Sequence, residues 1–118
     1  MGPRVLIVDD HAAFRARARR MLTSFGYEVV AEAKDADSAV RAASSSRPDV
    51  VLLDVQLPGR SGLELVSELQ NSSPGVRVLL ISSRDAEDYG PLIASSGADG
   101  FISKVDLSGQ LVARLLAK

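Results

Sequence analysis

Branched apolar residues come in short unbroken runs over residues 4–8, 29–33, 50–53, 76–81 and 100–102, and the strongest of these do not alternate with polar residues. A strand with one wet face would alternate, so unbroken runs mark strands buried on both faces. Between them apolar residues recur at helical spacing: Phe14, Ala18, Met21, Leu22 and Phe25 in one stripe, Leu63, Val66 and Leu69 in another, and Leu111, Leu115 and Leu116 in the last. Strands that need cover on both sides, alternating with amphipathic helices across short loops, fit a parallel sheet sandwiched between helices by right-handed crossovers. The expected fold is therefore α/β, a doubly wound five-stranded parallel sheet with helices on both faces.

At 118 residues the chain fits one domain, residues 1–118, with enough length for a real core. It holds no cysteine, which removes disulfides, thiolate chemistry and cysteine-ligated metals. A formal net charge of −1 provides no general attraction to nucleic acid or anionic membrane. No apolar run approaches the roughly 20 residues of a membrane span, and no signal-peptide pattern precedes the first strand, so a cytoplasmic location is expected.

Local punctuation agrees with this layout. Gly26 stops the first helix, and Ser61-Gly62-Leu63-Glu64 has the form of a capping box before the third. The second helix is expected over residues 35–45, with "ASSSRPD" read as a polar loop, and the last helix is expected to run about ten residues to Lys118.

In a parallel α/β sheet the residues just after each strand gather at one edge, where ligands bind at the switch point of strand order. Here the first strand ends in Asp9-Asp10, the third in Asp54, the fourth in Ser82-Ser83, and Ser103-Lys104 follows the fifth. If the strand order is 2-1-3-4-5, as in flavodoxin-like folds, strands one and three flank the switch point and bring Asp9, Asp10 and Asp54 into one pocket. Carboxylates so close raise one another's pKa values, and oxygen ligands of this kind suit a hard cation. Mg²⁺ is the best candidate, although residue type alone also fits calcium. Lys104 and the Ser82 hydroxyl add donors, which describe an anion site. In isolation each feature has a plainer role: Asp9-Asp10 as a helix cap, Ser82-Ser83 as turn chemistry, Lys104 as a solvated charge. Their convergence at one edge favours a functional site. His11, alone and without a second ligand-spaced histidine, is expected to be solvated. "RARARR", residues 15–20, interleaves with the first helix's core stripe and so forms a solvent face or a docking surface for an acidic protein. Without interleaved aromatics it is not read as a nucleic-acid patch.

Asp9-Asp10, the "DVQLPGRSGLEL" segment that starts at Asp54, Ser82, and "GFISK" ending at Lys104 together resemble the receiver domain of two-component response regulators, over essentially the whole chain. "VDDHAAFR" and "GFISK" are most similar to the NarL/FixJ-like (CheY-like fold) subfamily, whose members usually carry a C-terminal helix-turn-helix domain. The resemblance implies that Asp54 accepts a phosphoryl group from a sensor histidine kinase or a small phosphodonor. It implies Asp10 as a direct Mg²⁺ ligand and Asp9 as one through water, with Asp54 and the Gln56 backbone carbonyl completing the protein ligands. Lys104 and Ser82 would contact the phosphoryl oxygens, and Phe101 would be the aromatic that changes position with phosphorylation. An output domain or downstream protein, DNA-binding in many relatives, and a phosphorylation-dependent homodimer are the implied partners. The chain departs from the usual pattern in having Val105 where many relatives place a proline after the lysine, often with a cis peptide, and Ser61 where they often carry Asp. Gln56 and Arg84 are expected at the pocket mouth. A haloacid dehalogenase-type phosphatase would need a second Asp at position 56, and a nucleotide-binding domain a glycine-rich loop in place of "DDHAAF".

Overall fold

The computed structural model describes residues 2–117. Five parallel strands, β1 (Arg4–Val8), β2 (Glu28–Ala33), β3 (Val50–Asp54), β4 (Arg77–Ser82) and β5 (Gly100–Ser103), form one sheet in the order β2-β1-β3-β4-β5. They alternate with helices α1 (Ala12–Ser24), α2 (Ala36–Ser46), α3 (Gly62–Ser72), α4 (Leu92–Ser95) and α5 (Gly109–Leu116). The expected doubly wound order is the observed one.

Each central strand divides its side chains between two cores, as the two-residue period of a strand requires. Leu6, Val8, Val51, Leu53, Val78 and Leu80 face α2 and α3, while Val5, Ile7, Val50, Leu52, Leu79 and Ile81 face α1 and α5. All twelve are fully buried. At about 1.5–3 kcal/mol for each such side chain, burial on both faces is what makes these strands uninterrupted apolar runs.

The helix stripes need two refinements. Leu65 joins Val66 and Leu69 in the α3 core, with Leu63 at its margin, and Val112 is the fully buried residue of α5, where Leu111, Leu115 and Leu116 pack partly buried around it. The expected helix end at Lys118 lies outside the described residues. Phe25 ends the α1 stripe half exposed, and Gly26 follows it at φ +104, a left-handed conformation that ends the helix at little cost only in glycine.

Helix α2 runs past the expected boundary into the serines. The Ser45 and Ser46 hydroxyls donate back to the Arg41 and Ala42 carbonyls at 3.1 and 2.6 Å, so this polar stretch satisfies the helix backbone in place of water. The helix then stops at Arg47, in a left-handed conformation at φ 50, before Pro48. The reciprocal capping box also belongs to α2: Asp35 accepts from the Ser38 amide at 2.9 Å and Ser38 accepts from the Asp35 amide at 3.2 Å. At α3 the Ser61 hydroxyl accepts from the Leu63 amide at 3.1 Å, without the reciprocal bond of a full capping box. Between β4 and β5 the crossover is a 3-10 turn, Ala86–Asp88, followed by the single helical turn of α4.

Candidate functional site

Strands β1 and β3 are neighbours whose connections leave on opposite faces of the sheet, α1 on one side and α3 on the other. That divergence opens a crevice at their carboxyl ends. Asp9 follows β1 with its backbone amide bound to the Ala33 carbonyl at 3.0 Å, so its side chain turns into the crevice fully buried, while Asp10 opens to solvent. Asp54, the last residue of β3, is buried beside them. Asp9, Asp10, His11 and Asp54 present ligand atoms that all lie within 4.8 Å of one another.

The pocket has an internal cation. Lys104 starts the 3-10 turn after β5, and its ammonium lies 2.5 Å from Asp9 Oδ2 and 3.4 Å from Asp54 Oδ2. It also sits 4.5 Å from the centroid of the buried Phe14 ring, a cation–π position that supports the lysine from the α1 side. Asp54 Oδ1 accepts from the Gln56 amide at 3.0 Å, and Asp9 Oδ1 accepts from the His11 amide at 2.8 Å. Burial holds the Asp54 carboxyl above the ordinary carboxylate range. The Asp9 charge adds to this, and the Gln56 amide and Lys104 offset it only in part.

One ammonium against three carboxylates leaves the pocket short of positive charge. Asp9 Oδ2 is buried and accepts no hydrogen bond, so its contact with Lys104 is an ion pair alone. Clustered hard oxygens, one of them without a hydrogen-bond donor, fit a divalent cation with oxygen ligands.

Each expected site residue can now be placed. Asp9, Asp10, Asp54 and Lys104 converge at the crevice. Ser82 ends β4 next to Ile81, the register partner of Asp54, and is fully buried. Gln56 and Arg84 are exposed on the loops after β3 and β4. Phe101 lies partly buried on β5 with its ring 5.9 Å from that of Tyr89. The Lys104–Val105 peptide is trans.

Two expectations gain detail. The His11 side chain is largely exposed, yet its Nδ1 lies 3.2 Å from both Asp9 Oδ1 and Asp10 Oδ1, so it borders the carboxylate cluster. The arginine run is not a free basic face: Arg15 and Arg19 pair with Glu32 of β2 at 3.0 and 2.6 Å, and Arg17 stacks over Phe14 at 5.8 Å. Arg15 also donates to the Asp9 carbonyl at 2.6 Å, which ties the start of α1 to the pocket wall. Sequence reasoning missed this tether, the Phe14 support of Lys104, and the 2.6 Å contact between Ser82 Oγ and Tyr89 Oη. Only the first had a usable signal, an arginine at i+4 from a helix N-cap; the other two join residues far apart in the chain or on an irregular loop.

Comparison with known proteins matches residues 5–116 to the response regulator receiver domain. The chain is 36% identical over 101 residues to the transcriptional regulatory protein DegU of Brevibacillus brevis, covering 85% of this chain and 43% of that protein. Among solved structures, the receiver domain of the putative response regulator NarL from Mycobacterium tuberculosis superposes with a TM-score of 0.85 at 30% identity, covering 99% of this chain and 98% of that one. A response regulator from Burkholderia pseudomallei, solved with a phosphorylated aspartic acid, a calcium ion and citrate, gives a TM-score of 0.84 at 26% identity over 96% of this chain and 66% of that one. The chain thus spans less than half the length of DegU. With the switch-point carboxylates and the lysine that joins them inside the matched span, this chain belongs to the response regulator receiver domain family, in its NarL/FixJ-like branch.

Proposed function

We propose that this receiver domain takes a phosphoryl group onto Asp54 from a sensor histidine kinase or a small phosphodonor, in a Mg²⁺-dependent reaction, and passes the signal on through a changed protein-interaction surface. The observation that carries this reading is the buried Asp54 carboxylate held between the Gln56 amide and the Lys104 ammonium, with Asp9 and Asp10 alongside. A carboxylate oxygen of Asp54 attacks phosphorus. The new P–O bond forms as the P–N bond of a phosphohistidine breaks, and the bonding electron pair leaves with the imidazole nitrogen.

The chain's own residues position and neutralise. Lys104, shared between Asp9 and Asp54, is placed to follow the charge as it moves from carboxylate to phosphoryl oxygen. Ser82 donates its hydroxyl to another phosphoryl oxygen. Asp10, Asp9, Asp54 and the Gln56 carbonyl would hold Mg²⁺, which when bound offsets the carboxylate charges and the charge on the phosphoryl oxygens. The phosphorylated aspartic acid of the Burkholderia protein supports phosphoryl acceptance on an aspartate. No helix among the described residues is long and apolar enough to cross a membrane. The reading makes this a cytoplasmic signalling domain whose only chemistry is its own phosphorylation and dephosphorylation, without direct nucleic-acid binding. It would form the regulatory part of a longer regulator with a DNA-binding or other output domain, or act through a phosphorylation-dependent homodimer.

Intact-mass measurement after incubation with acetyl phosphate and Mg²⁺ tests the assignment. The parent should gain the mass of one phosphoryl group and Asp54→Asn should gain none; equal labelling of both would place the acceptor elsewhere.

A further inference from the structure

Ser82 is fully buried at the end of β4, and its hydroxyl oxygen has two neighbours. The Arg84 amide donates to it at 3.0 Å, and Tyr89 Oη lies 2.6 Å away. Tyr89 follows the 3-10 turn after β4, partly buried, with its ring tilted by 58° against Phe101. A serine hydroxyl offers one proton and two lone pairs. The Arg84 amide occupies one lone pair, so Tyr89 meets either the proton or the remaining pair. At rest every group is matched when Ser82 donates to Tyr89 and the tyrosine proton turns outward to water.

A phosphoryl group on Asp54, one register position away across the β3–β4 ladder, claims the single Ser82 proton. The 2.6 Å contact then persists only if Tyr89 becomes the donor into the second lone pair. We infer that Tyr89 is a positioning residue of the phosphoryl site: its hydroxyl reverses direction and donates to Ser82 when Ser82 donates to the phosphoryl oxygen. With Arg84 and Tyr89 both donating to Ser82 Oγ, the serine proton has one direction left, toward the phosphoryl group. Each bond in this chain of hydroxyls polarises the next. The inference rests on Asp54 as the acceptor.

Beryllofluoride, which mimics the phosphoryl group on Asp54, is the probe, titrated with Mg²⁺ present and followed by ¹⁹F NMR. Tyr89→Phe keeps the ring against Phe101 and removes only the hydroxyl. Because it leaves the Ser82 proton unpaired at rest, it should tighten beryllofluoride binding about fivefold in the parent and in a Ser82→Thr background, the worth of one hydrogen bond, and change it by less than about twofold in Ser82→Ala, where the coupling partner is gone. An equal change in the Ser82→Ala background would assign the effect to ring packing and overturn the inference, as would no tightening in the parent. A measurement independent of any Tyr89 variant uses tyrosine labelled with ¹³C at Cζ. The Tyr89 resonance should move when the parent binds beryllofluoride, as the hydroxyl turns from acceptor to donor, and should stay in place in Ser82→Ala; a resonance that does not move in the parent also overturns the reversal. A folded parent that binds no beryllofluoride would instead remove the Asp54 assignment, and this inference with it.

Discussion

Asp9 and Asp10 are adjacent in sequence and unlike in setting. Asp9 is sealed in the crevice and already paired with Lys104, whereas Asp10 reaches solvent beside His11 and has no lysine to displace. Asp10→Asn is therefore expected to weaken Mg²⁺ binding more than Asp9→Asn, in a titration followed by amide NMR; the reverse order would refute this division of labour. Asp54 carries a further consequence of burial. Its folded pKa lies above the unfolded value, so the native state holds a proton that the unfolded chain has released, and stability falls as pH rises from the ordinary carboxylate pKa through the raised one. Asp54→Asn removes that titration. In metal-free protein the stability of Asp54→Asn relative to the parent should climb across this window and level off above the raised pKa, measured by urea unfolding at a series of pH values. A difference that shrinks with rising pH would contradict the burial account.

Elements hold these residues through contacts that leave little slack. The start of α3 sits directly on the end of β3: a Cβ on Gly62 would lie 2.1 Å from the Asp54 carbonyl oxygen, and the Gly62 amide donates to the Val55 carbonyl at 2.7 Å. Only a residue without a side chain permits this approach. Gly62→Ala should cost about 2 kcal/mol or more in chemical denaturation by forcing backbone apart, and it should slow phosphorylation by acetyl phosphate because the backbone that shifts carries Asp54. Full stability in Gly62→Ala would show that the junction has room. On the other side of the sheet, α1 is joined to β2 by the pairing of Arg15 and Arg19 with Glu32. Burial alone would raise the Glu32 pKa, but the two guanidiniums outweigh it and hold the carboxyl below its usual range. These side chains are partly exposed, so the pairing contributes little stability; its larger effect is orientation, since Arg15 also holds the Asp9 carbonyl.

Across the whole molecule, the two faces of the sheet divide the labour. Phe14 and Lys104 meet on the α1 side, whereas Tyr89 and Phe101 pack with α4 on the other. Ser82 lies where the crevice adjoins that second face. Under the proposed function, a phosphoryl group at Asp54 that drew Ser82 inward would change the support beneath Tyr89 and through it the packing of Phe101, and the surface of α4 and β5 would shift in population. Ser82→Ala should still accept phosphate, more slowly, while losing much of the Phe101 and α4 response in NMR spectra with and without beryllofluoride. The same full response in Ser82→Ala would mean that the hydroxyl does not couple site to surface.

The strand runs and the delivery of Asp9, Asp10, Asp54, Ser82 and Lys104 to one edge of the sheet were legible in the sequence, whereas the strand order rested on the likeness to flavodoxin-like folds. Burial on both faces leaves uninterrupted apolar runs, and parallel strands deliver their terminal residues to the same side. Helix ends were less legible where serine hydroxyls replaced water along α2, because that depends on backbone satisfied by its neighbours. The pairing of the arginine run with Glu32, the Phe14 ring beside Lys104 and the Tyr89 hydroxyl on Ser82 were decided by tertiary structure alone. Each joins side chains from separate elements, and no local pattern of residues encodes which side chain will meet which once the sheet has closed.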